Sequence, residues 1–335
     1  MRKLFHAGLA VCFAITASGA IAQEVTLRMA ILGGVGKSGY GVAMSKVPDA
    51  IYQATNGRVQ VEIYDSLIPG PQLPNALRDG TVDMIGGVHV YMSGEEPRLG
   101  IGHLPGLLTN EKEYKNVLDA YMGELIAEVW DTRYNGHALT QGLWYEAPVF
   151  SNELIVKLED FRGLKVRTHN YESAGMLTQV GAKPTQVPAG EMVNALQRGV
   201  IDALSTEYGS AVSLGVQDAA KYASLWDFSV NLGWTVVMNN ESWASLPEDL
   251  QVQITEGMKN FQEERFANYI EETAAIRQEM IDTGIEFVEV PETEQNRALS
   301  DENVTAIYDD WYARAADVGF DGKAVVQKVR DILGK

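Results

Sequence analysis

Residues 75–87 read NALRDGTVDMIGG and residues 194–206 read NALQRGVIDALST, so one pattern occurs twice in the chain. Each copy is typical of a helix end, a glycine in the left-handed cap position and a short apolar strand, because glycine adopts that backbone conformation at the lowest cost. The copies lie 119 residues apart, too far for a solenoid, whose repeats run to about 50 residues. Chance similarity between two helix ends is the alternative. The repeat predicts two similar α/β lobes with a ligand cleft between them, since open sheets bind ligands at the carboxyl ends of their strands.

The first 22 residues have the pattern of an export signal. Arg2 and Lys3 form a basic start, an apolar run follows, and small residues surround a cleavage site, so we expect cleavage after Ala22 and export to the periplasm. Cys12 is a weak candidate for lipid attachment because it lies midway along the apolar run. It is the only cysteine of the chain, so its removal excludes disulfides, thiol catalysis and thiolate metal sites.

The charge of the chain limits its partners. The net charge is −18 and becomes two units more negative without Arg2 and Lys3. Such a chain repels phosphate backbones and anionic membranes, which argues against nucleic-acid binding, and an anionic ligand would need a local cation of its own. The histidines lack the spacing of a helical zinc site, so no metal site is predicted, and we place His89 and His169 nearest the cleft.

The periodicity of apolar residues predicts strands that alternate with helices, as a parallel sheet requires. A capped start at residues 245–248 with no stop before Gly284 predicts a helix of some 35 residues. At 1.5 Å per residue that helix is roughly 50 Å long and should span both lobes, with a bend near Gly257. The predicted organisation is a signal peptide (1–22), lobe I (23–145, with 234–272 returning to it), lobe II (146–233, with 273–300 contributing) and a C-terminal helical region (301–335). The last two helices are predicted over residues 294–318 and 322–333.

Two motifs in the sequence point to functions that the rest of the chain does not favour. Residues 34–39 match the glycine pattern of a dinucleotide-binding turn and also imitate a phosphate loop. An exported chain has little access to cytoplasmic nucleotides, and Ile31 stands where the phosphate loop needs glycine. We therefore interpret these glycines as a tight turn facing the cleft. The sequence contains no nucleophile motif and no distinct carboxylate pair, so no catalytic residue is predicted.

Residues 158–167, 180–188 and 191–202 together resemble the substrate-binding subunits of tripartite ATP-independent periplasmic (TRAP) transporters. Shorter blocks at 104–108 and 246–251 match in the same order, so the resemblance covers nearly all of the chain after the signal. It implies two α/β lobes that close on a ligand, a long helix across both, and delivery of the ligand to the integral-membrane subunits of an ion-gradient-driven permease.

The resemblance also implies that Arg167, which ends the Gly-Leu-Lys-x-Arg strand, holds the carboxylate of the substrate. A guanidinium can pair both oxygens of a carboxylate with two charge-assisted hydrogen bonds, and the carboxyl end of a strand faces the cleft. The alternative is a surface arginine in an ordinary ion pair.

The chain departs from the family pattern at two places. Where many members have Glu-Asn or Glu-Trp, this chain has Ser205 and Thr206, followed by Glu207 and Tyr208, and the sequence leaves open which of these reaches the ligand. Where relatives that bind sialic acid have a second arginine, residues 144–146 read WYE. Aromatic rings in place of a cation favour an aromatic or branched monocarboxylate over a diacid or a sugar acid.

The leading hypothesis is an extracytoplasmic receptor for a small organic acid, monomeric and without cofactor or catalytic turnover. An exported enzyme that uses the same cleft and a chemosensory or structural protein of the same fold are the alternatives, and a cation held by Glu207 could bridge the ligand. The predicted ligand-binding residues are Arg167, Trp144, Tyr145, Thr206, Glu207, Tyr208, Tyr40, His89 and Trp234.

Overall fold

The computed structural model of the chain describes residues 23–32, 36, 38–168, 171–226, 228 and 233–335. The predicted signal peptide, His169 and residues 34, 35 and 37 of the 34–39 turn lie outside the described residues. No helix within the described ranges is both long and apolar enough to cross a bilayer.

Eleven strands form two separate sheets within the described residues, and we name the part of the molecule around each sheet a lobe. Lobe I contains a five-stranded sheet of order β2-β1-β3-β10-β4, and lobe II contains a six-stranded sheet of order β11-β9-β5-β8-β6-β7. The strands are β1 (Val25–Ile31), β2 (Val59–Asp65), β3 (Met84–Val88), β4 (Gly136–Leu143), β5 (Val149–Ser151), β6 (Lys165–Arg167), β7 (Lys183–Thr185), β8 (Ala203–Ser205), β9 (Tyr222–Leu225), β10 (Gly233–Asn239) and β11 (Glu286–Glu289).

The helices cover the faces of these sheets. They are α1 (Gly39–Ala54), α2 (Leu73–Arg78), α3 (Glu111–Val117), α4 (Gly123–Tyr134), α5 (Tyr171–Gln179), α6 (Met192–Gln197), α7 (Tyr208–Leu214), α8 (Asn240–Ala244), α9 (Glu248–Asp282), α10 (Glu292–Ala298), α11 (Asp301–Asp317) and α12 (Gly322–Leu333). Strand β1 pairs in parallel with β2 and β3, and β6 pairs in parallel with β7 and β8. The predicted parallel pairing is thus confirmed, while β10 and β5 run antiparallel to their neighbours.

The repeat in the sequence is a repeat in the structure. Helix α2 and strand β3 form the first copy, and α6 and β8 form the second. Gly80 and Gly199 end the two helices with φ of +66° and +67°, which is the left-handed cap predicted for both. The same local geometry is therefore built once in each lobe.

Helix α9 runs without interruption for 35 residues, which at 1.5 Å per residue is about 50 Å. It packs on α1 and β4 of lobe I and on α7 of lobe II, so the predicted long helix spans both lobes. The glycine at position 257 has a packing role, because a Cβ there would lie 2.3 Å from the Cβ of Ala54 in α1. Gly257 lets two helices of the molecule approach closely.

The C-terminal helices connect the two lobes. The prediction of one helix over 294–318 is wrong, because the helix is interrupted between α10 and α11. Ser300 has an extended backbone there (φ −65°, ψ 154°) and occupies the N-cap position of α11. Helix α11 packs on α5 of lobe II and on the 3-10 segment Pro97–His103 of lobe I. Its Trp311 donates from Nε1 to the Pro97 carbonyl at 3.0 Å.

Candidate functional site

Arg167 lies at the carboxyl end of β6, between β7 and β8. Its Nη1 donates to the Ser205 carbonyl at 3.0 Å and its Nε donates to the Val187 carbonyl at 3.2 Å. The residue is 7% exposed, and burial lowers the pKa of its guanidinium, an effect that Tyr91 opposes. The two carbonyls hold the guanidinium in place without neutralising its charge.

Three arginines are buried among the described residues, and they differ in their partners. Arg98 donates from Nε to Glu96 at 2.7 Å, and Arg265 pairs with Glu272. Within the described residues no carboxylate pairs with Arg167. A buried charge without a counter-charge is costly unless another group supplies one, so this arginine is suited to receive an anion.

Tyr91 of lobe I approaches Arg167 of lobe II, and the sequence reasoning missed it. It ends the 3-10 turn His89–Tyr91 directly after β3, and its ring contacts Gly70, where a Cβ would lie 2.6 Å from the Tyr91 Cε2 atom. Burial raises the pKa of the Tyr91 hydroxyl, and the charge of Arg167 lowers it in part. The signal that could have found Tyr91 is its position just beyond the carboxyl end of a parallel strand.

Tyr40 and Trp144 form a stacked pair inside lobe I, with ring centroids 5.0 Å apart and an angle of 6° between the planes. The Tyr40 hydroxyl donates to the Gly86 carbonyl at 2.9 Å and accepts from the Leu32 amide at 3.0 Å. Both hydrogen-bonding capacities of Tyr40 are therefore used by the lobe itself. The Nε1 of Trp144 is buried and has no partner in the described part of the chain, so it is the donor of this pair that remains available.

Tyr145 and Trp234 lie beneath α9, where the two lobes meet. The Tyr145 hydroxyl donates to Glu272 at 2.8 Å, and Trp234 donates from Nε1 to the Leu143 carbonyl at 3.0 Å. Both residues line a small cavity together with Arg265. Their polar atoms are engaged with the protein, so they shape this region through their rings.

The segment 205–208 runs from Arg167 towards lobe I. The Ser205 carbonyl accepts a hydrogen bond from Arg167. Thr206 is 7% exposed, and its hydroxyl makes no hydrogen bond to any described residue. Tyr208 is fully buried in lobe II, and its hydroxyl donates to Glu146 at 2.8 Å. Of the four side chains that the sequence left open, Thr206 is the one free to meet a ligand.

Glu207 joins the amino-terminal ends of two helices from different lobes. Its carboxylate accepts from the Gly209 amide at 2.9 Å and from the Ser210 amide at the start of α7, and it also interacts with the Gly39 amide at the start of α1. Burial raises the pKa of this carboxyl to about 7, although those hydrogen bonds oppose the rise. The side chain is occupied by capping, which is a positional role between the lobes.

His89 is a buried, neutral residue of lobe I. Its Nε2 lies 2.7 Å from the Thr235 hydroxyl oxygen, and burial lowers its pKa to about 3. It therefore cannot supply a second positive charge to an anionic ligand near neutral pH. No group of three or more His, Cys, Asp or Glu side chains arranged to hold a metal ion occurs within the described residues.

Arg167 and Tyr91 thus approach each other from the strand ends of the two lobes, and Thr206 directly follows Ser205, whose carbonyl holds Arg167. The structure places Tyr40, Tyr208, Trp234 and His89 in the surrounding packing, with their polar atoms already bonded. A guanidinium, a hydroxyl and a tyrosine can surround a carboxylate, but they include no activated nucleophile.

The sequence matches a known family over most of its length. The model of the bacterial extracellular solute-binding proteins, family 7 (DctP), matches residues 37–315. The C4-dicarboxylate-binding periplasmic protein DctP of Rhodobacter capsulatus is 25% identical over 285 residues, which cover 82% of this chain and 83% of that protein.

Solved structures show the same fold. A TRAP periplasmic solute-binding protein of Chromohalobacter salexigens with bound D-glucuronate superposes with a TM-score of 0.80 at 22% identity, covering 91% of this chain and 99% of that one. A TRAP periplasmic solute-binding protein of Desulfovibrio salexigens with bound orotic acid gives a TM-score of 0.81 at 18% identity, covering 92% and 99%. The predicted two-lobed periplasmic-binding-protein fold is therefore confirmed.

Proposed function

Because this chain belongs to family 7 of the bacterial extracellular solute-binding proteins, we propose that it captures a small organic acid between its lobes and delivers it to a TRAP-type permease. Three proteins of similar sequence or fold bind a C4-dicarboxylate, D-glucuronate and orotic acid. All three ligands carry a carboxylate, and the proposal extends that shared group to this chain.

One observation carries the proposal, namely that Arg167 is buried without a carboxylate partner in the described chain. The carbonyls of Ser205 and Val187 fix the guanidinium through Nη1 and Nε, so the remaining N–H groups are oriented before a ligand arrives. A ligand carboxylate would then supply the missing charge. Thr206 from the same lobe and Tyr91 from the other would complete its hydrogen bonds.

We further propose a monocarboxylate with a flat or apolar body. The family resemblance aligns residues 144–146 with the place where sialic-acid-binding relatives have a second arginine, and the ring of Trp144 is held there by the stack with Tyr40. Ring surface buried against a ligand stabilises at about 25 cal/mol per Å², and the free Nε1 of Trp144 could bond to a carbonyl on the body. Tyr145 and Trp234 would form the floor of the cleft through their rings.

The remaining parts of the proposal are a receptor without catalytic turnover and a periplasmic location with cleavage after Ala22. The family is one of solute-binding proteins, and the three groups of the candidate site, Arg167, Thr206 and Tyr91, do not form a pair of nucleophile and base. Incubation of the protein with its ligand should return the ligand unchanged, as mass spectrometry would measure. The amino terminus of the secreted protein would test the cleavage site.

The central test is calorimetry on Arg167 variants. The acid that co-purifies is first identified by mass spectrometry and then titrated into the wild-type protein, Arg167→Ala and Arg167→Lys. We expect Arg167→Ala to weaken binding by about 3 kcal/mol, roughly a hundredfold, and Arg167→Lys nearly as much, because an ammonium lacks the planar fork.

Arg162→Ala is the matched control, since Arg162 is an exposed arginine of the same lobe. It should bind like the wild type. Wild-type affinity in a folded Arg167→Ala protein would remove this residue from the site and with it the basis of the proposal.

A further inference from the structure

A buried carboxylate of lobe II contacts lobe I. Glu172 lies in the first turn of α5, and its side chain is fully buried. Its carboxylate accepts from the Ser93 hydroxyl of lobe I at 3.3 Å and from Nη2 of Arg314 at 3.0 Å. Nη1 of the same arginine donates to the Ser93 carbonyl at 2.8 Å. We name Ser93, Glu172 and Arg314 the interlobe triad.

Lobe I is shaped to receive this carboxylate. Gly100 lies in the 3-10 segment Pro97–His103, and a Cβ at this glycine would lie 2.7 Å from Glu172 Oε1 and 3.0 Å from the Ser93 Cβ. Gly100 is not among the glycines with positive φ. The close approach of these two side chains, rather than the backbone conformation, therefore accounts for a glycine at this position.

Helix α11, which supplies Arg314, is fixed mainly to lobe I. Trp311 donates from Nε1 to the Pro97 carbonyl at 3.0 Å. The Tyr308 hydroxyl donates to the Pro105 carbonyl at 3.0 Å, and both rings lie in the apolar cluster of lobe I. Ile307 is the apolar residue of α11 that packs in a cluster of lobe II. We therefore expect α11 to move with lobe I when the lobes separate.

The interlobe triad and the candidate site belong to the same two segments of the chain. Tyr91 and Ser93 both follow β3 closely, and Glu172 comes five residues after Arg167, which ends β6. A ligand that draws Arg167 towards Tyr91 also brings Glu172 towards Ser93. The two contacts between the lobes therefore form and separate together.

We propose, on the basis of the proposed function, that Glu172 is a positioning residue that raises the affinity for the ligand by stabilising the closed arrangement of the lobes. Both of its oxygens are engaged within the triad, so it acts without contacting the ligand. Its charge-assisted bond forms only when the lobes approach, and such bonds are the stronger kind. The ligand then supplies less of the free energy of closure, which raises its apparent affinity.

The width of the cleft can be measured directly. The only cysteine of the chain is Cys12, within the predicted signal peptide, so introduced cysteines can be labelled selectively in the secreted protein. Leu67→Cys and Gln186→Cys place nitroxide labels on exposed residues just beyond the carboxyl ends of β2 and β7. Pulsed electron–electron double resonance then reports the distance between the lobes while the acid that co-purifies is removed and titrated back.

Glu172→Gln removes the charge and keeps the size of the side chain, while Arg314 keeps Asp310, to which its Nε donates at 2.9 Å. We expect the acid concentration at half closure to rise roughly tenfold, with the label distance at saturation unchanged. Equal concentrations at half closure in the wild type and Glu172→Gln would overturn the proposal.

Asp310→Asn is the matched control, because it removes the other carboxylate of the same arginine within α11. Its remaining oxygen can still accept from the Tyr171 hydroxyl. This variant should close at the same acid concentration as the wild type, and a shift equal to that of Glu172→Gln would overturn the proposal by showing that any loss of charge beside Arg314 has the same effect.

Gly100→Ala tests the recess with every charge kept. The added Cβ would displace the end of the Glu172 side chain, so half closure should shift in the same direction as in Glu172→Gln. The double variant should shift little further, because both changes act on one contact. Fully additive shifts would show two separate effects and contradict the proposal.

The ligand-free distances separate this proposal from the proposed function. If no acid closes the wild-type protein, the proposed function fails. A larger mean label distance in ligand-free Glu172→Gln than in the wild type would then still support the role of Glu172, and equal distance distributions would overturn it.

Discussion

The two lobes contain the same helix–strand unit, joined to a neighbouring strand in the same way. In lobe I the Arg28 amide donates to Asp83 at 2.9 Å and the Asp83 amide donates back to the Arg28 carbonyl at 3.0 Å. In lobe II the Lys165 amide donates to Asp202 at 2.8 Å and the Asp202 amide donates back to Lys165 at 2.8 Å.

The lobes differ at the strand ends that follow this shared unit. Ala30 pairs with Ile85 in lobe I where Arg167 pairs with Leu204 in lobe II. In the register of the repeat, Val88 of lobe I corresponds to Glu207 of lobe II. Lobe I has apolar side chains at these positions and lobe II has charged ones. The repeat therefore forms the scaffold of both lobes, while the charged groups occur in only one copy.

The largest expected effect comes from placing the charge of lobe II in lobe I. Ala30 is fully buried in an apolar cluster, so Ala30→Arg should lower the free energy of unfolding by more than about 4 kcal/mol or prevent folding. Ala30→Met adds similar length without charge and should cost about 1–3 kcal/mol. Urea unfolding of both variants would measure the difference, and equal losses would mean that lobe I tolerates charge at this place.

The buried carboxyl of Glu207 should make the free energy of unfolding depend on pH. Burial raises the pKa of its carboxyl from 4.5 to about 7, so the folded protein binds this proton more tightly than the unfolded chain does. The resulting stabilisation is present in full below pH 4.5 and is lost as the pH rises through about 7. The loss corresponds to about 3 kcal/mol.

Glu207→Gln is the matched variant, because it keeps the shape of the side chain and one accepting oxygen for the helix amides but has no titratable proton. Its unfolding free energy should lack this fall between pH 4.5 and 7, as denaturant titrations at several pH values would show. Parallel pH profiles for the two proteins would contradict the buried-carboxylate account.

The two aspartates of the shared unit should differ in strength. The Asp83 carboxylate also accepts hydrogen bonds from the Arg28 guanidinium at 2.9 Å and from the Ser242 hydroxyl at 3.1 Å. The Lys165 ammonium, by contrast, lies 3.8 Å from the Asp202 carboxylate. We expect Asp83→Ala to cost about 3 kcal/mol and Asp202→Ala about 1 kcal/mol in urea unfolding. Equal costs would show that the backbone bonds dominate in both lobes.

The smallest effect should be the same in both lobes. Gly80 and Gly199 both have positive φ, and a Cβ at either position would meet no atom within 4 Å. Each change to alanine should therefore cost about 1 kcal/mol through backbone strain alone. Thermal unfolding of the two variants would check this, and clearly unequal shifts would mean that the two caps are not equivalent.

Local patterns were enough to predict the repeat, its glycine caps and the 35-residue helix, because each depends on residues close together in the sequence. The roles of the aromatic residues could not be predicted in this way. Tyr40 and Tyr208 are buried with bonded hydroxyls, and only packing between distant segments decides whether such a ring lines a cleft or fills a core.

The candidate site shows the same limit. The position of Arg167 followed from a strand and a family motif, and the structure adds that its charge has no partner among the described residues. Tyr91 was missed because it comes near Arg167 only when the two lobes face each other. Its position after a parallel strand could indicate that Tyr91 faces the cleft. Its approach to Arg167 depends on the relative position of the two lobes, which local sequence patterns do not predict.

The contact made by Arg314 of α11 has a consequence for the time that a ligand stays bound. Arg314 donates to the Ser93 carbonyl of lobe I at 2.8 Å and to Glu172 of lobe II at 3.0 Å, and both partners are fully buried. Any opening motion that separates these two residues must break at least one of these bonds and expose a buried carboxylate to solvent. If ligand release requires such a motion, the residence time of a ligand depends on a contact formed by the C-terminal helix as well as on the bonds of the ligand itself.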